Sequence, residues 1–256
     1  MLICGLDVET TGLDFDKDYI TEIGVVLYDV ADEGWVLKKT ISPLLYDNSY
    51  PLLSPEIQKL TGINDLLLKD KGIDPCAAFK QAASLLCVAD YIIAHNEEFD
   101  RKMLKSNLER YGIDDFTQDK KWLCSIKDVE YPDSVSCRKL SHIAVDLCID
   151  FKPSELHRAF DDVILMGRVL DKLKLTPESI YQYQQEPWVY LEAQTEKPWL
   201  DGGKSKDAAK LAGYSWQKVM GDDKTFDKRW VKKIKESKLE EYKEKEYSFK
   251  RTILEV

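Results

Sequence analysis

The sequence predicts an α/β domain built on a mixed sheet, followed by a small C-terminal α+β appendage. Three observations carry this. The N-terminal segment reads as a meander of three β-rich runs, a later apolar run leads directly into a helical pattern, and the character of the chain changes after Leu173.

Leu2 to Val8 is a short apolar run, and Tyr19 to Tyr28 and Trp35 to Ile41 are β-rich segments, the last two joined by the turn signal Asp32-Glu33-Gly34. Three adjacent antiparallel strands are the simplest arrangement. Ser54 to Leu60 has a capping Ser and a Pro at the first helical position, and the Ala and Leu spacing of Pro75 to Cys87 suits a buried helix. Asp90 to His95 is too short and too β-branched for a helix, so it reads as a strand, and Phe99 to Tyr111 as the helix after it. Ser136 to Leu147 and Ala159 to Leu173 both place apolar residues at helical spacing. Residues 174–200 have no clean period and are expected to be a linker between a domain of residues 1–173 and a module of residues 201–256. In that module Ser205 to Leu211 reads as a helix, Tyr214 to Met220 and Thr225 to Val231 as aromatic strands about the turn Gly221-Asp222-Asp223, and Lys235 to Glu246 as a charged helix.

Composition bounds the function. At 256 residues and 44% hydrophobic content the chain can bury a sizeable core. It shows no signal-peptide pattern at Met1 and no run of eighteen apolar residues, so the expectation is a soluble, cytoplasmic protein with no membrane partner. The six cysteines form no Cys-x-x-Cys and no Cys/His cluster, and they read as reduced core residues. The net charge of -9 is unevenly spread: residues 1–173 hold 20 Lys/Arg against 31 Asp/Glu, whereas Lys204 to Lys235 holds 10 against 4, a local surplus read either as a phosphate-facing patch or as a solvated surface.

The chemistry begins with Asp7-Val8-Glu9. With 27 Asp and 19 Glu in the chain such a triplet arises by chance, and a second exists at Asp128-Val129-Glu130. The setting distinguishes the first. A strand places residues i and i+2 on one face about 7 Å apart, and at its end nothing blocks them. Two divalent cations about 4 Å apart at a scissile phosphate need several acidic ligands, so others must come from the ends of neighbouring elements. Asp100, in the first turn of the helix after the His95 strand, is one candidate, favoured there by the helix dipole. His157-Arg158-Ala159-Phe160-Asp161-Asp162 heads the last helix of the domain. On a helical wheel Phe160, Val163, Met166, Gly167 and Leu170 define the buried stripe, Asp162 borders it and Asp161 points away, which selects Asp162. His157 belongs to the preceding loop, leaning over the metals. His95 and His142 read as structural histidines.

These blocks resemble the DEDD exonucleases, the group containing the proofreading epsilon subunit of bacterial DNA polymerase III. Asp7-Val8-Glu9-Thr10-Thr11-Gly12-Leu13 is similar to the first block, His95-Asn96-Glu97-Glu98-Phe99-Asp100 to the second and His157 to Asp162 to the third, with Leu60-Thr61-Gly62-Ile63 as a weaker fourth. The family divides by whether a His or a Tyr supplies the base. The Tyr would stand where Arg158 is, so His157 points to the histidine (DEDDh) branch. Cys124-Ser125 departs from the Asp-Thr of many relatives, at a position that is not a ligand.

The resemblance implies an RNase H-like mixed five-stranded sheet flanked by helices. It also implies a 3′-to-5′ exonuclease in which Asp7, Glu9, Asp100 and Asp162 hold two Mg²⁺ or Mn²⁺ ions and His157 is the general base. One ion lowers the pKa of a bound water and the other stabilises the leaving 3′-oxygen. A free imidazole titrates near about 6.5, so activity should fall in acid. By the same analogy Thr10 and Leu13 contact the terminal nucleotide and Asn96 orients the strand end. The expected substrate is DNA, single-stranded by preference, with a free 3′ end and nucleoside 5′-monophosphates as products. The expected partner is a polymerase or another replication or repair protein. Two alternatives stay open: an exoribonuclease with the same site, and a non-catalytic nucleic-acid or polymerase docking module. In the tail, Tyr214, Trp216, Phe226 and Trp230 alternate with Lys218, Lys224, Lys228, Arg229 and Lys232, a pattern read either as a base-stacking surface or as a mini-core with a basic exterior.

Overall fold

Side chains alternate across a strand, and in β1 (Leu2–Thr10) both faces are covered: Ile3 packs into one core, Cys4 and Leu6 into another. The computed structural model describes residues 1–152, 157–220, 226–244, 247 and 249–254, which divide into two units, Met1–Gln184 and Gln185–Val256. In the first unit β2 (Ile20–Ala31), antiparallel to β1, and β3 (Gly34–Ile41), antiparallel to β2, continue the expected meander. β4 (Tyr91–Ala94) pairs with β1 in parallel, and β5 (Lys121–Cys124) with β4 in parallel. The order β3-β2-β1-β4-β5 is the mixed five-stranded sheet that was expected.

Helices cover both faces. α1 (Pro55–Thr61) starts at Ser54, whose side chain accepts from the Ile57 N–H, and stops at Gly62 at φ 70°. Gly62-Ile63 of the weak fourth block is therefore a helix terminus, with Ile63 buried behind it. α2 (Asp65–Lys71), absent from the periodic reading, is capped by Asn64, and α3 (Pro75–Leu86) by Asp74. α3 and α4 (Glu97–Arg110) bury Phe79, Leu86, Met103 and Leu108 against Leu6, Val25 and Ile92. On the opposite face α5 (Leu140–Asp146), α6 (Ala159–Lys172) and α7 (Pro177–Gln185) bury Ile143, Val163, Met166, Leu170 and Ile180 against Ile3, Val26 and Ile93. Each fully buried side chain of this kind stabilises the fold by roughly 1.5–3 kcal/mol. α6 seats on the strands where they lack side chains: a Cβ on Gly24 would come within 2.5 Å of the Ala159 backbone, and one on Gly5 within 2.5 Å of Val163.

Several expectations need correction. α5 begins at Leu140 rather than Ser136, because the Ser136 amide and hydroxyl both donate to Asp146 at 2.8 Å and hold an irregular turn there. Residues 174–200 are not an irregular linker. They carry α7, β6 (Trp188–Gln194) and α8 (Pro198–Asp201), and the two units divide at Gln184/Gln185. The cysteines are not all core residues: Cys4 and Cys124 are buried, but Cys76, Cys87 and Cys148 are exposed.

The second unit is an antiparallel sheet of order β7-β8-β6-β9, formed by β6, β7 (Ser215–Met220), β8 (Phe226–Lys235) and β9 (Lys250–Leu254). α9 (Lys204–Leu211) and α10 (Leu239–Glu244) supply Ala208, Ala209, Leu239 and Tyr242 to a small core around Leu191, Tyr214, Ile234 and Phe249. The expected charged helix from Lys235 shrinks to α10, since β8 runs on through Lys232, Lys233 and Ile234 to pair with β6. The expected turn Gly221-Asp222-Asp223 lies outside the described residues.

Candidate active site

β1 outruns its parallel neighbour. Pairing with β4 ends at Gly5, while pairing with β2 continues to Thr10, so the β4 side of Asp7, Val8 and Glu9 is left open. The chain leaving β4 turns at Asn96 into α4, and Asp100 in the first turn of that helix fills the opening, accepting from the Val8 N–H at 3.2 Å. This is the point in the sheet where the direction of chain connection changes, the usual location of a binding crevice in open α/β sheets.

Asp7 and Glu9 share one face of the strand, and α6 brings Asp162 to the same face. Among the described residues, one carboxylate oxygen from each of Asp7, Glu9 and Asp162 lies within 4.8 Å of the others. Asp161 is not in that group. The buried stripe of α6 is broader than the helical wheel implied: Leu165 and Val169 are buried with Val163, Met166 and Leu170, and Phe160 only partly, because α6 meets neighbours on more than one side.

Burial and repulsion define the electrostatics. Burial raises the Asp7 carboxyl well above the usual range, and the charges of Asp100, Glu9, Asp162 and Glu22 push it further. Glu9 is pushed up to about 8 by burial and then by Asp162, Glu22 and Asp100. Asp100, 3% exposed, is raised to about 8 by burial, opposed by the Val8 amide. Asp162 reaches about 6, burial again leading, with the His157 charge and backbone amide pulling it down. Four carboxyls that repel one another, Asp100 buried and the other three half-buried, form a hard-oxygen donor set with excess negative charge. That set fits a small divalent cation such as Mg²⁺ or Mn²⁺, and it is a poor fit for soft metals, which favour thiolate or imidazole.

His157 is exposed at φ 64°, directly before the N-cap Arg158 of α6. The backbone beside it is anchored by a contact that sequence reasoning missed. Arg158 donates through Nε and a terminal nitrogen to the two oxygens of Glu22, both at 2.8 Å, and Glu22 also accepts from Ser42 Oγ (2.9 Å) and the Ala159 N–H (3.3 Å). Glu22 is 1% exposed and stands opposite Glu9 in the β1–β2 register. A Glu inside the mostly apolar run Ile20 to Leu27 was the available signal, since a buried charge requires a partner.

The remaining predicted residues have plain locations. Thr10 is buried and its hydroxyl donates to the Gly12 carbonyl at 2.5 Å. Leu13 is 79% exposed in the loop after β1, which is knitted by Asp18 bonds to Thr11 and Asp14 and by Arg110 to the Asp16 and Asp18 carbonyls. Asn96 is exposed at the head of α4 and makes no capping bond. His95 has both ring nitrogens engaged, with Ser125 Oγ at 2.7 Å and the Arg138 carbonyl at 2.8 Å. The competing triplet has a structural role: Asp128 accepts from the Cys124 N–H at 2.7 Å and from Gln184 at 2.8 Å, and Val129 is buried.

The first unit is thus a three-layered α/β fold, a mixed sheet between helices, with a cluster of carboxylates beside the end of its central strand. The sequence matches the exonuclease family described for RNase T over residues 4–170, and the chain belongs to that family. No curated protein sequence matches it. Among solved structures it is similar to exonuclease I of E. coli in complex with a dT13 oligonucleotide (TM-score 0.61, 16% identity, 75% of this chain and 48% of that one). It is also similar to the nuclease domain of 3′hExo, a DEDDh family member, bound to rAMP (TM-score 0.55, 19% identity, 68% and 91%). A third is a 3′-exonuclease recognising the histone mRNA stem-loop (TM-score 0.56, 19% identity, 68% and 81%). The likeness is one of fold, and the chain spans about half the length of exonuclease I. No helix among the described residues is long and apolar enough to cross a membrane.

Proposed function

We propose that the first unit is a metal-dependent 3′-to-5′ exonuclease of the histidine branch, acting on nucleic acid with a free 3′ end and releasing nucleoside 5′-monophosphates. The observation that carries this reading is the convergence of Asp7, Glu9 and Asp162 within 4.8 Å, with Asp100 bonded to the strand between the first two and His157 at the head of the helix bearing the third. Asp7, Glu9, Asp100 and Asp162 would hold two divalent cations. Bound there, such ions supply a water of lowered pKa and stabilise charge on the leaving oxygen.

The chain's own residues do the rest. His157 accepts the proton of the attacking water, and its exposure lets it pass that proton to solvent. Arg158, locked to Glu22, fixes the backbone from which the imidazole is presented. Leu13 packs against the terminal base, Thr10 shapes the turn that presents Leu13, and Asn96 orients the strand end. The intact set of four acids with a histidine argues against a purely docking role.

Single-stranded DNA is the favoured substrate, supported by the oligonucleotide-bound exonuclease I among the structural neighbours. RNA is the second reading, supported by the rAMP-bound and stem-loop-recognising neighbours. The similarity of the three sequence blocks to the epsilon subunit supports a polymerase or repair complex as the partner. The test is digestion of 3′- and 5′-labelled single-stranded DNA, duplex DNA and RNA with Mg²⁺, Mn²⁺ or EDTA. Mononucleotides released from the 3′ end only, and only with metal, are expected. Cleavage in EDTA, or release from the 5′ end, would overturn the reading.

A further inference from the structure

The second unit divides its aromatic residues between two environments. Tyr214 is buried at 3% exposure and packs edge-on against Phe249, so it belongs to the core. Trp216 and Trp230 do not follow it. They are cross-strand partners on β7 and β8, with ring centroids 5.4 Å apart and planes tilted 51°, and Trp216 is 52% exposed. The two rings form one wall of a cavity of about 520 Å³, closed by Thr195, Glu196 and Lys197 after β6 and by Lys206 of α9. That volume falls within the roughly 300–1,000 Å³ of small-ligand sites.

The opposite wall is built rather than incidental. The Glu196 N–H donates to Ser205 Oγ at 2.9 Å, and Asp201 accepts from the Gly203 and Ser205 amides at 2.7 and 2.8 Å, which ties the 195–197 segment to the start of α9. The charge around the rings has one dominant sign. Lys197 and Lys206 stand at the cavity, and the next cross-strand pair on the same sheet face is Lys218 opposite Lys228, both exposed. Like charges directly opposite on paired strands are destabilising, a cost that an anionic ligand removes. An exposed indole corner ringed by lysines is the arrangement that stacks a base while cations meet its phosphates.

We propose that this cavity is a second nucleic-acid site, separate from the carboxylate cluster, in which one base of a single strand stacks on Trp216 and Trp230 and its flanking phosphates meet Lys197, Lys206, Lys218 and Lys228. The choice of nucleic acid over a peptide rests on the nuclease reading as well as on this charge. The site retains a strand independently of the metal centre, so it works in EDTA.

The experiment uses the full chain in EDTA, titrated with dT12, dA12 and rU12, read by fluorescence anisotropy of a labelled oligonucleotide and by tryptophan emission. Binding with tryptophan quenching is expected. Trp216→Ala should weaken it roughly 5- to 150-fold, the loss of one base-aromatic stack. Trp216→Phe should keep the affinity but reduce the quench, and Lys206→Glu should lower the slope of log affinity against log salt by about 1. Equal binding by the wild type and Trp216→Ala would overturn the proposal, as would a Phe variant as weak as the Ala variant. Failure of all three oligonucleotides to bind would do the same and would turn the cavity towards a protein partner. Tryptophan-dependent binding by a chain that digests nothing in Mg²⁺ or Mn²⁺ would sink the nuclease reading and leave this one standing.

Discussion

Replacing Glu9 by Gln should abolish nuclease activity and at the same time stabilise the metal-free protein. A carboxyl whose folded-state pKa stands above its unfolded value weakens the fold as pH rises. The penalty is nil below the unfolded value, grows between the two values and is constant above the folded one. For Glu9 the window runs from the ordinary 4.5 to about 8, set by burial and then by Asp162, Glu22 and Asp100. With about 1.4 kcal/mol per pKa unit, the penalty is below about 1 kcal/mol at pH 5, about 3 kcal/mol at pH 7 and roughly 4–5 kcal/mol above pH 8. Gln has the same shape and no charge, so it escapes the penalty. At roughly 2–4 °C per kcal/mol for a unit of this size, the variant should melt roughly 5–10 °C above the wild type at pH 7 in EDTA, and within about 3 °C of it at pH 5. Thermal unfolding by circular dichroism across this pH range reads both numbers. Adding Mg²⁺ or Mn²⁺ should raise the wild type far more than the variant, since a ligand at a hundred times its Kd contributes about 2.7 kcal/mol. A variant that melts at or below the wild type at pH 7 in EDTA, or a shift that is the same at pH 5 and pH 8, would refute the reasoning.

Three further outcomes are expected. Because cations must displace protons from Glu9 and Asp100, raised to about 8, and from Asp162, raised to about 6, metal affinity should strengthen from pH 6 to pH 8. Calorimetry in two buffers of different ionisation enthalpy should detect the released protons, and a pH-independent affinity would contradict the assignment. Arg158→Ala leaves Glu22 charged at 1% exposure and should cost about 3 kcal/mol in urea denaturation. Glu22→Gln should cost less, because Arg158, with its side chain 37% exposed, can reach water; the reverse order would show that the pair is not what holds the head of α6. His157→Ala should lower kcat roughly 10²- to 10⁴-fold while metal affinity stays within a few-fold of the wild type, and a lost metal site would show that the histidine is misassigned.

What could be read from the sequence was what local pattern encodes. The meander, α1, α3, α4 and α6 follow from periodicity and caps within a dozen residues, and Asp7, Glu9, Asp100 and Asp162 stand at ends of those elements. What escaped was non-local. β5 has four residues, Lys121-Trp122-Leu123-Cys124, too few for a period, and is a strand only because β4 lies beside it. β6 lies in the expected linker because its partners, β8 and β9, come dozens of residues later. The Glu22–Arg158 pair joins residues 136 apart. The tail aromatics escaped for another reason: in one strand Tyr214 and Trp216, two apart, would share a face, but β7 starts only at Ser215, so Tyr214 turns into the core while Trp216 stays exposed.

The same non-local contacts that hid from the sequence determine how well the site is assembled. Asp7 and Glu9 belong to a strand paired on both sides of its first half, whereas Asp162 arrives on α6 and His157 just ahead of it, far along the chain, so the site depends on where α6 docks. Two features set that docking. Gly24 and Gly5 remove the side chains that would hold the helix off the sheet, which lets the Ala159 backbone close onto β2. Glu22 then takes Arg158 in a two-point grip beside that contact, fixing the rotation and register of the helix head as a single hydrogen bond could not. Burying Glu22 adds one more negative charge behind a cluster that already repels itself, and Arg158 offsets it at Glu9. The fold therefore holds four mutually repelling acids by packing and one internal ion pair, leaving the charge excess of the cluster for cations to neutralise.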